Sequence, residues 1–388
     1  MTTSPSTFTF QTSPRMVCEA GGVGRAGALS RELGASHVLV VTDPYLARTP
    51  GCTRLLQSLE QAGLFVTLYS EVEADPPQAI VEAAGRLARG AGCDLVIGFG
   101  GGSSMDTAKL VAWLACNEGP LDPVFGVHLL SGRRLPLIQI PTTAGTGSEV
   151  TPVAIVTTPD QQKKGVVSPL LLADVALLDA SLTVDLPPAP TAMTGIDAMV
   201  HAIEAYTSRH AKNPVSDALA VRALSLLYRH LPRALDAPDD LRARQAMLLG
   251  AYLAGMAFAN APVAAVHALA YPLGGRFHVP HGLSNSLVLV PVLRFNLPAA
   301  ADCYAELGQT LGVAPAGSDA HEQALAFVQA MADLVARMPY AQNLRSVGVT
   351  QADLPHLARD AMQVQRLLVN NPREVSERDA LALYESAY

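Results

Sequence analysis

Apolar runs and amphipathic segments alternate along the first half of the chain. The runs SHVLVV, LFVTLY, DLVIGF and LPLIQI are rich in β-branched residues and end at glycine, proline or polar residues, which predicts strands. Between them, TRLLQSLEQAG and IVEAAGRLARGAG show helical spacing of apolar residues. This strand and helix alternation predicts a parallel sheet with crossover helices. We also expect a strand near residues 8–10, after a polar N-terminal segment.

The alternation stops at Pro187, Pro188 and Pro190, and helical patterns dominate from there to the C-terminus. In the last of these patterns, Ser376 stands three residues before Asp379, a variant of the capping box. A chain of 388 residues is long enough for two separate cores. We therefore expect an α/β domain over residues 1–186 and an all-α domain over residues 187–388.

Two glycine-rich segments follow predicted strands. In the first, Gly22, Gly24 and Gly27 spell GxGxxG between the strand RMVCEAG and a helix, but this motif alone is weakly specific, and we expect it only to begin the domain. In the second, DLVIGF runs into Gly100, Gly101, Gly102 and Ser103 before a helix that we expect to begin near Ser104 or Met105. Glycines let a backbone approach a pyrophosphate, and a helix N-terminus offers free N–H groups. This second segment predicts a cofactor-phosphate site.

Polar residues follow two of the predicted strands. Asp43 ends SHVLVVTD, where a carboxylate can bind a ribose diol and repel a 2′-phosphate, although Asp43 and Pro44 also suit a turn. We favour the ribose interpretation. Thr142, Thr143 and Thr146 follow LPLIQIP, where they would line a ligand crevice or form a solvated loop.

One carboxylate and three imidazoles stand in very apolar sequence. The helical segment TGIDAMVHAIEAYTS places Asp197 and His201 one turn apart, while His267 lies in an apolar helical run and His281 follows a proline. Taken alone, these are commonly a hydrogen-bonded pair and core histidines. Unpaired polar groups would be costly in such surroundings, however, and one divalent cation would satisfy all four. Imidazole with carboxylate suits iron(II), zinc, nickel or cobalt.

Composition narrows the function classes. The chain is 49% apolar and 16% charged, and its formal charge of -7 includes no basic block, so we expect no nucleic-acid partner. MTTSPSTFTFQTSP lacks signal-peptide features, and five scattered cysteines suit a reduced, cytoplasmic protein. The long apolar run from Ala246 is interrupted by Asn260, Pro262 and His267, which favours core packing over a membrane helix.

The segments DAMVHAIEAY, HALAYPLGG and PHG, with GGGSSMDTAK and PTTAGTGSEVT upstream, resemble the iron-containing (group III) alcohol dehydrogenase family from about residue 8 to the C-terminus. The resemblance implies a homo-oligomeric enzyme for a small alcohol or carbonyl substrate, with NAD and one divalent metal, iron(II) first and zinc as the alternative, between two domains. The implied metal ligands are Asp197, His201, His267 and His281. The implied cofactor residues are Asp43, Gly100, Gly101, Gly102, Ser103, Thr142, Thr143, Thr146 and Lys163, with Lys164 as an alternative to the last.

The expected reaction is hydride transfer between an alcohol and the nicotinamide, with the metal favouring the alkoxide. Maleylacetate-reductase-like and transhydrogenase-like relatives are alternatives. A lyase of the dehydroquinate-synthase type needs many basic residues, yet only Arg276 lies near His267 in sequence, and a metal-dependent hydrolase leaves GGGS and PTTAGTGS without a purpose. The sequence departs from the family at Tyr271, where several members have a histidine, and at Asp75, where the family often has asparagine. Tyr271 is then either a hydroxyl donor or a packing residue.

Overall fold

The computed structural model of the chain describes residues 7–160 and 162–388. One compact unit comprises Gln11–Asp185 and Asp239–Leu249. Its strands are β1 (Met16–Cys18), β2 (His37–Val41), β3 (Phe65–Tyr69), β4 (Leu95–Gly100), β5 (Gly126–Val127), β6 (Leu137–Pro141), β7 (Val153–Thr157), β8 (Lys163–Val167) and β9 (Val175–Leu178). Its helices include α1 (Ala26–Glu32), α2 (Pro50–Gln61), α3 (Gln78–Ala91) and α4 (Gly102–Leu114). Six strands form one sheet in the order β1-β9-β6-β4-β2-β3, with every pair parallel, which confirms the predicted α/β class.

The central strands of this sheet are buried on both faces. In β2, Leu39 and Val41 join one apolar core, whereas Val38 and Val40 join the other. Helices α3 and α4 contribute to the first core, and α1 and α2 contribute to the second. Because both faces are covered by helices, the strand sequences are continuous apolar runs. Each fully buried aliphatic side chain stabilises the fold by roughly 1.5–3 kcal/mol.

A second, smaller sheet has the order β5-β8-β7, in which β7 and β8 are antiparallel. The sequence analysis did not predict these strands or β9. Lys163 and Lys164 open β8, so this strand lacks a continuous apolar run, whereas β7 (VAIVT) has such a run but was not assigned as a strand. This sheet carries Lys163, one of the predicted cofactor residues.

The other compact unit comprises Leu186–Pro238 and Gly250–Tyr388, together with the described residues up to Phe10. Its elements among the described residues are all helical, which confirms the predicted change of class. The helices are α5 (Pro188–Tyr206), α6 (Pro214–Asp236), α7 (Leu241–Asn260), α8 (Ala265–Phe277), α9 (His281–Leu311), α10 (Ala320–Ala336), α11 (Leu354–Ala361), α12 (Gln365–Leu368) and α13 (Glu377–Ala387). The first half of α7 belongs to the α/β unit. Ser376 and Asp379 form a capping box at α13.

The expected strand near residues 8–10 is wrong. These residues have no regular secondary structure, and the first strand among the described residues is β1, which pairs with β9 at the sheet edge. A strand needs a neighbour to satisfy its backbone groups, and β1 already takes the place beside β9. The start of the predicted polar segment, residues 1–6, lies outside the described residues.

Among the described residues, α9 is long and apolar enough to cross a membrane by length and composition. Half of its most apolar window is buried within the protein, and core helices pass the same test, so this is weak support for a span. Helices α7 and α8 pass only as a pair, and they are bent by 104° where they meet.

Candidate active site

The predicted cofactor residues follow three neighbouring strands. Asp43 follows β2, Gly100–Ser103 join β4 to α4, and Thr142 follows β6. The sheet order β6-β4-β2 makes these strands adjacent, and Gly100 pairs with Pro141 in the register. Parallel α/β sheets bind ligands in the crevice at the carboxyl ends of their strands. The structure therefore brings these residues to one edge of the sheet.

The glycine turn after β4 lies against the loop of predicted threonines. A β-carbon on Gly102 would be 3.1 Å from Thr146 Cγ2, and one on Gly101 would be 3.7 Å from Thr143 Oγ1. Gly100 has a φ of +150°, which other residues rarely adopt. Because the N-cap residue Gly101 has no side chain, the first N–H groups of α4 are available to an anion. Helix α4 begins at Gly102, slightly earlier than expected.

Buried polar groups tie α4 to the loop after β6. Ser148 Oγ donates to the Asp106 carboxylate at 2.5 Å, and the N–H of Ile155 donates to the other Asp106 oxygen at 2.9 Å. Lys109 has no exposed surface; its Nζ lies 3.4 Å from Asp106 and donates to the Val153 carbonyl at 2.6 Å. Burial lowers the pKa of Lys109, although Asp106 acts in the opposite direction. We call Asp106, Lys109 and Ser148 the Asp106 clamp.

Glu149 is a second buried acid beside this clamp. Only 2% of the residue is exposed. Burial raises the pKa of Glu149 to about 7, while a hydrogen bond to the backbone and the charge of Lys109 oppose the increase. Glu149 therefore changes its charge near neutral pH.

Lys163 reaches the glycine turn through Asp75. Its Nζ lies 2.7 Å from Asp75 Oδ1, and the Asp75 N–H donates to Ser103 Oγ at 3.3 Å. The Nζ of Lys164 lies instead 5.9 Å from the centre of the Phe125 ring. This arrangement favours Lys163 over Lys164 as the lysine associated with the turn.

Asp43 has the turn role that the sequence left open. Its Oδ1 accepts hydrogen bonds from the N–H groups of Tyr45 at 2.9 Å and Leu46 at 2.8 Å. One oxygen of the carboxylate can serve the turn while the other serves a ribose. A surface pocket follows directly, lined by Pro44, Tyr45, Arg48, Thr49, Pro50 and Asp185. The sequence indicated no arginine beside Asp43, but Arg48 lies in this lining, and a guanidinium there would attract a 2′-phosphate.

Backbone N–H groups at the GxGxxG segment already donate hydrogen bonds to another part of the chain. The N–H groups of Gly21 and Val23 donate to the two oxygens of Asp179 at 2.8 and 3.0 Å. A β-carbon on Gly27 would be 2.1 Å from the Ser58 carbonyl oxygen, so this glycine is needed for the close packing of α1 on α2. The segment is a structural turn, in agreement with its expected role at the start of the domain.

Three helices bring the four predicted metal ligands together. Asp197 and His201 lie on α5, His267 lies on α8, and His281 is the first residue of α9. A β-carbon on Gly282 would be 2.4 Å from the Met193 carbonyl oxygen, so the glycine after His281 lets α9 begin against α5. The PHG segment thus places its histidine by close helix packing.

The distances fit a divalent cation. One ligand atom from each of the four residues lies within 4.8 Å of the others. Asp197 Oδ1 is 3.8 Å from His201 Nε2, 3.8 Å from His267 Nε2 and 3.6 Å from His281 Nε2. Metal bonds of about 2.1 Å in a tetrahedral site separate the ligand atoms by about 3.4 Å. The cluster therefore needs only a small contraction to hold such an ion.

Burial and stacking fix these side chains. Asp197, His201 and His267 are at most 4% exposed, whereas the His281 side chain is 39% exposed. The His201 ring stacks between Phe258, at 4.3 Å, and His267, at 4.8 Å. Burial alone would raise the pKa of Asp197, but the three imidazoles and a neighbouring amide outweigh it, so that the pKa lies below its usual value.

Two residues of this site were missed by the sequence analysis. Glu204 Oε2 lies 2.7 Å from His267 Nδ1, and its Oε1 accepts from the N–H of Val266 at 2.6 Å. This pairing places the His267 proton on Nδ1 and the lone pair on Nε2, toward the cluster. Asn285 contacts the cluster through its amide. Helical spacing places both on the same helix face as a ligand, since Glu204 follows His201 by three residues and Asn285 follows His281 by four, but it does not reveal their contacts with His267 and Asp197.

Two other candidates lie outside the cluster. The Tyr271 ring is 6.1 Å from the His281 ring, and its hydroxyl accepts from the Arg366 guanidinium at 3.4 Å. His278 ends α8 in the left-handed conformation, with a φ of 53°, and its backbone N–H caps that helix. His278 therefore has a helix-ending role.

Comparison with known proteins agrees with this geometry. Residues 13–180 match the family described as iron-containing alcohol dehydrogenase, and residues 191–388 match the C-terminal part described as Fe-containing alcohol dehydrogenase family. The chain is 42% identical to long-chain-alcohol dehydrogenase 1 of Geobacillus thermodenitrificans, over 92% of this chain and 91% of that one. It superimposes on a 1,3-propanediol oxidoreductase with a TM-score of 0.96 at 33% identity, covering 98% and 100% of the two chains. A sulfoacetaldehyde reductase from Bifidobacterium kashiwanohense in complex with NAD+ gives a TM-score of 0.90 at 27% identity over 99% of each chain.

Together these matches cover both halves of the chain. They confirm the family that the sequence motifs indicated. The chain belongs to the iron-containing alcohol dehydrogenase family and is an alcohol or aldehyde oxidoreductase.

Proposed function

We propose that Asp197, His201, His267 and His281 hold one divalent cation that activates the oxygen of an alcohol or carbonyl substrate. The observation that carries this proposal is the convergence of three imidazole nitrogens and one carboxylate oxygen within 4.8 Å in a largely buried position. A cation held there would lower the pKa of the alcohol or polarise the carbonyl, and a bound nicotinamide would supply the hydride chemistry.

The protein's own groups prepare this site. Asp197 supplies the negative charge, and Glu204 holds His267 in the tautomer whose Nε2 is a lone-pair donor. His281 has the most exposed side chain of the four, so we place the substrate on its side of the cluster. The His201 ring stacks on Phe258 and His267, and both imidazoles are buried, which restricts water around these two ligands.

The cofactor residues at the sheet edge would hold NAD. We assign the ribose to Asp43, the phosphates to the glycine turn and the rest of the cofactor to the threonine loop and Lys163. The full set is Asp43, Gly100, Gly101, Gly102, Ser103, Thr142, Thr143, Thr146 and Lys163. The negative charge of Asp43 supports NAD over NADP, whereas the positive charge of Arg48 would favour NADP. The NAD+ complex of the sulfoacetaldehyde reductase is further support.

Iron(II) is the proposed metal, with zinc as the alternative. The family resemblance favours iron, whereas the general affinity order of nitrogen and oxygen sites favours zinc. The cluster contains no thiolate, which makes it less suited to soft ions.

We further propose a cytoplasmic homo-oligomer whose functional parts divide near Pro187, with no nucleic-acid or membrane partner. All five cysteines are free thiols, which suits a reducing compartment. Phe65 on the edge strand β3 is 75% exposed and Met16 on the opposite edge strand is 41% exposed, and apolar groups at sheet edges suit subunit contacts.

Metal content and activity measured together test the function. NAD-linked oxidation of a panel of primary alcohols and diols should require one metal ion per chain, and chelation should abolish it, with recovery on adding iron(II) or zinc. The His267→Ala protein should lose both metal and turnover. Near-normal turnover in a metal-free His267→Ala protein would rule out the proposed metal-assisted mechanism.

A further inference from the structure

Asn285 points its amide nitrogen into the ligand cluster. The residue lies on α9, one turn after His281, and has no exposed surface. Its Nδ2 is 2.6 Å from Asp197 Oδ1, 3.2 Å from His267 Nε2 and 3.3 Å from His281 Nε2. It therefore contacts three of the four atoms assigned to the cation.

The amide NH2 has two hydrogens to donate, and the three atoms within its reach are all atoms assigned to the cation. Because Glu204 holds the proton of His267 on Nδ1, Nε2 of that ring is an acceptor. Asp197 Oδ1 is also an acceptor. The amide N–H groups of Asn285 thus compete with a cation for these atoms.

The opposite end of the amide has no hydrogen-bond partner. Asn285 Oδ1 is buried and accepts no bond from the described residues. A buried amide oxygen without a partner costs roughly 1–3 kcal/mol. N–H groups facing a divalent cation at such short range would add electrostatic repulsion, since both carry positive charge.

Exchanging the two ends of the amide replaces this repulsion with attraction and gives the oxygen a partner, while the NH2 group takes the position where the oxygen had none. We propose that Asn285 turns its carboxamide oxygen toward the bound cation and is a fifth protein ligand of the metal centre. This inference rests on the proposed metal site and adds to it a neutral oxygen donor. A carbonyl oxygen is a harder ligand than imidazole, so Asn285 shifts metal preference toward manganese(II) and iron(II) relative to zinc.

The test uses the full-length protein, depleted of metal and titrated with manganese(II), zinc and cobalt(II) against a chelator. Asn285→Ala should weaken manganese(II) binding by about 10- to 100-fold, the range typical when a contact of a metal site is lost, and zinc binding by less. The visible bands of bound cobalt(II) should intensify, because their intensity rises as the coordination number falls. Asn285→Asp, which has an oxygen at both ends, should keep manganese(II) affinity and the weaker cobalt bands.

Asn296→Ala is the matched control. Asn296 is a buried asparagine on the same helix, and its amide pairs with Asn371 away from the cluster. It should leave metal affinities and the cobalt spectrum unchanged, and circular dichroism checks the fold of each variant. If Asn285→Ala matches the wild type in affinity and spectrum, Asn285 is not a ligand.

His267→Ala separates this failure from failure of the metal site itself. If His267→Ala loses cobalt binding while Asn285→Ala does not, only the role of Asn285 is refuted. If His267→Ala also binds cobalt normally, the four-residue site is refuted, and the role of Asn285 falls with it.

Discussion

Glu204 offers the sharpest test of how the metal centre is built. The substitution Glu204→Gln keeps the size and shape of a side chain that is only 4% exposed. An amide oxygen can still accept from the Val266 N–H, as Glu204 Oε1 does. The amide NH2 group would then face His267 Nδ1, where the carboxylate now accepts at 2.7 Å.

This change reverses the hydrogen-bonding demand on His267. To accept from the new NH2 group, the ring must move its proton from Nδ1 to Nε2, and a protonated Nε2 cannot bind a metal. If the ring keeps its present tautomer, two donors face each other in a buried site. Loss of such supporting contacts typically weakens metal binding 10- to 100-fold, or about 1.4–2.8 kcal/mol.

The assay is zinc and iron(II) affinity by chelator competition, with metal content measured beside activity. Glu306→Gln is the control, because Glu306 also accepts a hydrogen bond in the helical unit, from Tyr206. Glu204→Gln should lose affinity with an unchanged fold, and turnover should recover at saturating metal only in part. Wild-type zinc affinity in Glu204→Gln would refute the tautomer argument.

Three further predictions concern the α/β unit. Asp43→Ser should raise the ratio of kcat/KM for NADP to kcat/KM for NAD about fivefold, since removing one repulsive charge is worth roughly 1 kcal/mol. An unchanged ratio would contradict the role of Asp43 and indicate that Arg48 sets the cofactor preference. Asp106→Asn should weaken NADH binding in a fluorescence titration by about tenfold or more, while metal content stays constant. The reason is that it removes the charge that pairs with Lys109 and accepts from Ser148. Equal affinity would refute a role of the Asp106 clamp in cofactor binding. The folded protein holds the Glu149 proton more tightly than the unfolded chain, because burial raises its pKa from 4.5 to about 7; the free energy of unfolding should therefore fall by about 3 kcal/mol as pH rises through that window. Urea unfolding should show a smaller decrease for Glu149→Gln, and an identical pH profile would contradict this.

The sequence predicted those parts of the fold that depend on local periodicity. Helical spacing placed Asp197 and His201 on one face, and continuous apolar runs marked the buried strands of the parallel sheet. Strand order could not be read from the pattern, yet it makes Asp43, the glycine turn and Thr142 neighbours. The β8 strand was missed because Lys163 and Lys164 interrupt the apolar pattern there, whereas β7 has a short apolar run that was not assigned as a strand.

Contacts that depend on tertiary burial were equally out of reach. Glu204 stands in HAIEAY as any surface glutamate would, and only the packing of α8 on α5 reveals its bond to His267. The amide of Asn285 is likewise ordinary in sequence. The sequence left two roles open for Asp43, a turn residue or a ribose ligand. The hydrogen bonds from Tyr45 and Leu46 show the turn role, and this role is compatible with a ribose contact.

The Asp106 clamp has a consequence for the entropy of cofactor binding. A flexible glycine turn and a loop of small hydroxyl residues would ordinarily lose freedom when a ligand orders them, at roughly 1–2 kcal/mol for each fixed backbone residue. Here the buried bonds of Asp106 with Ser148 and Ile155 hold both segments in the folded protein. The ordering is therefore complete before the cofactor arrives, and its cost is part of folding stability instead of cofactor affinity. A loosened clamp should therefore weaken NADH binding through a larger unfavourable entropy of binding.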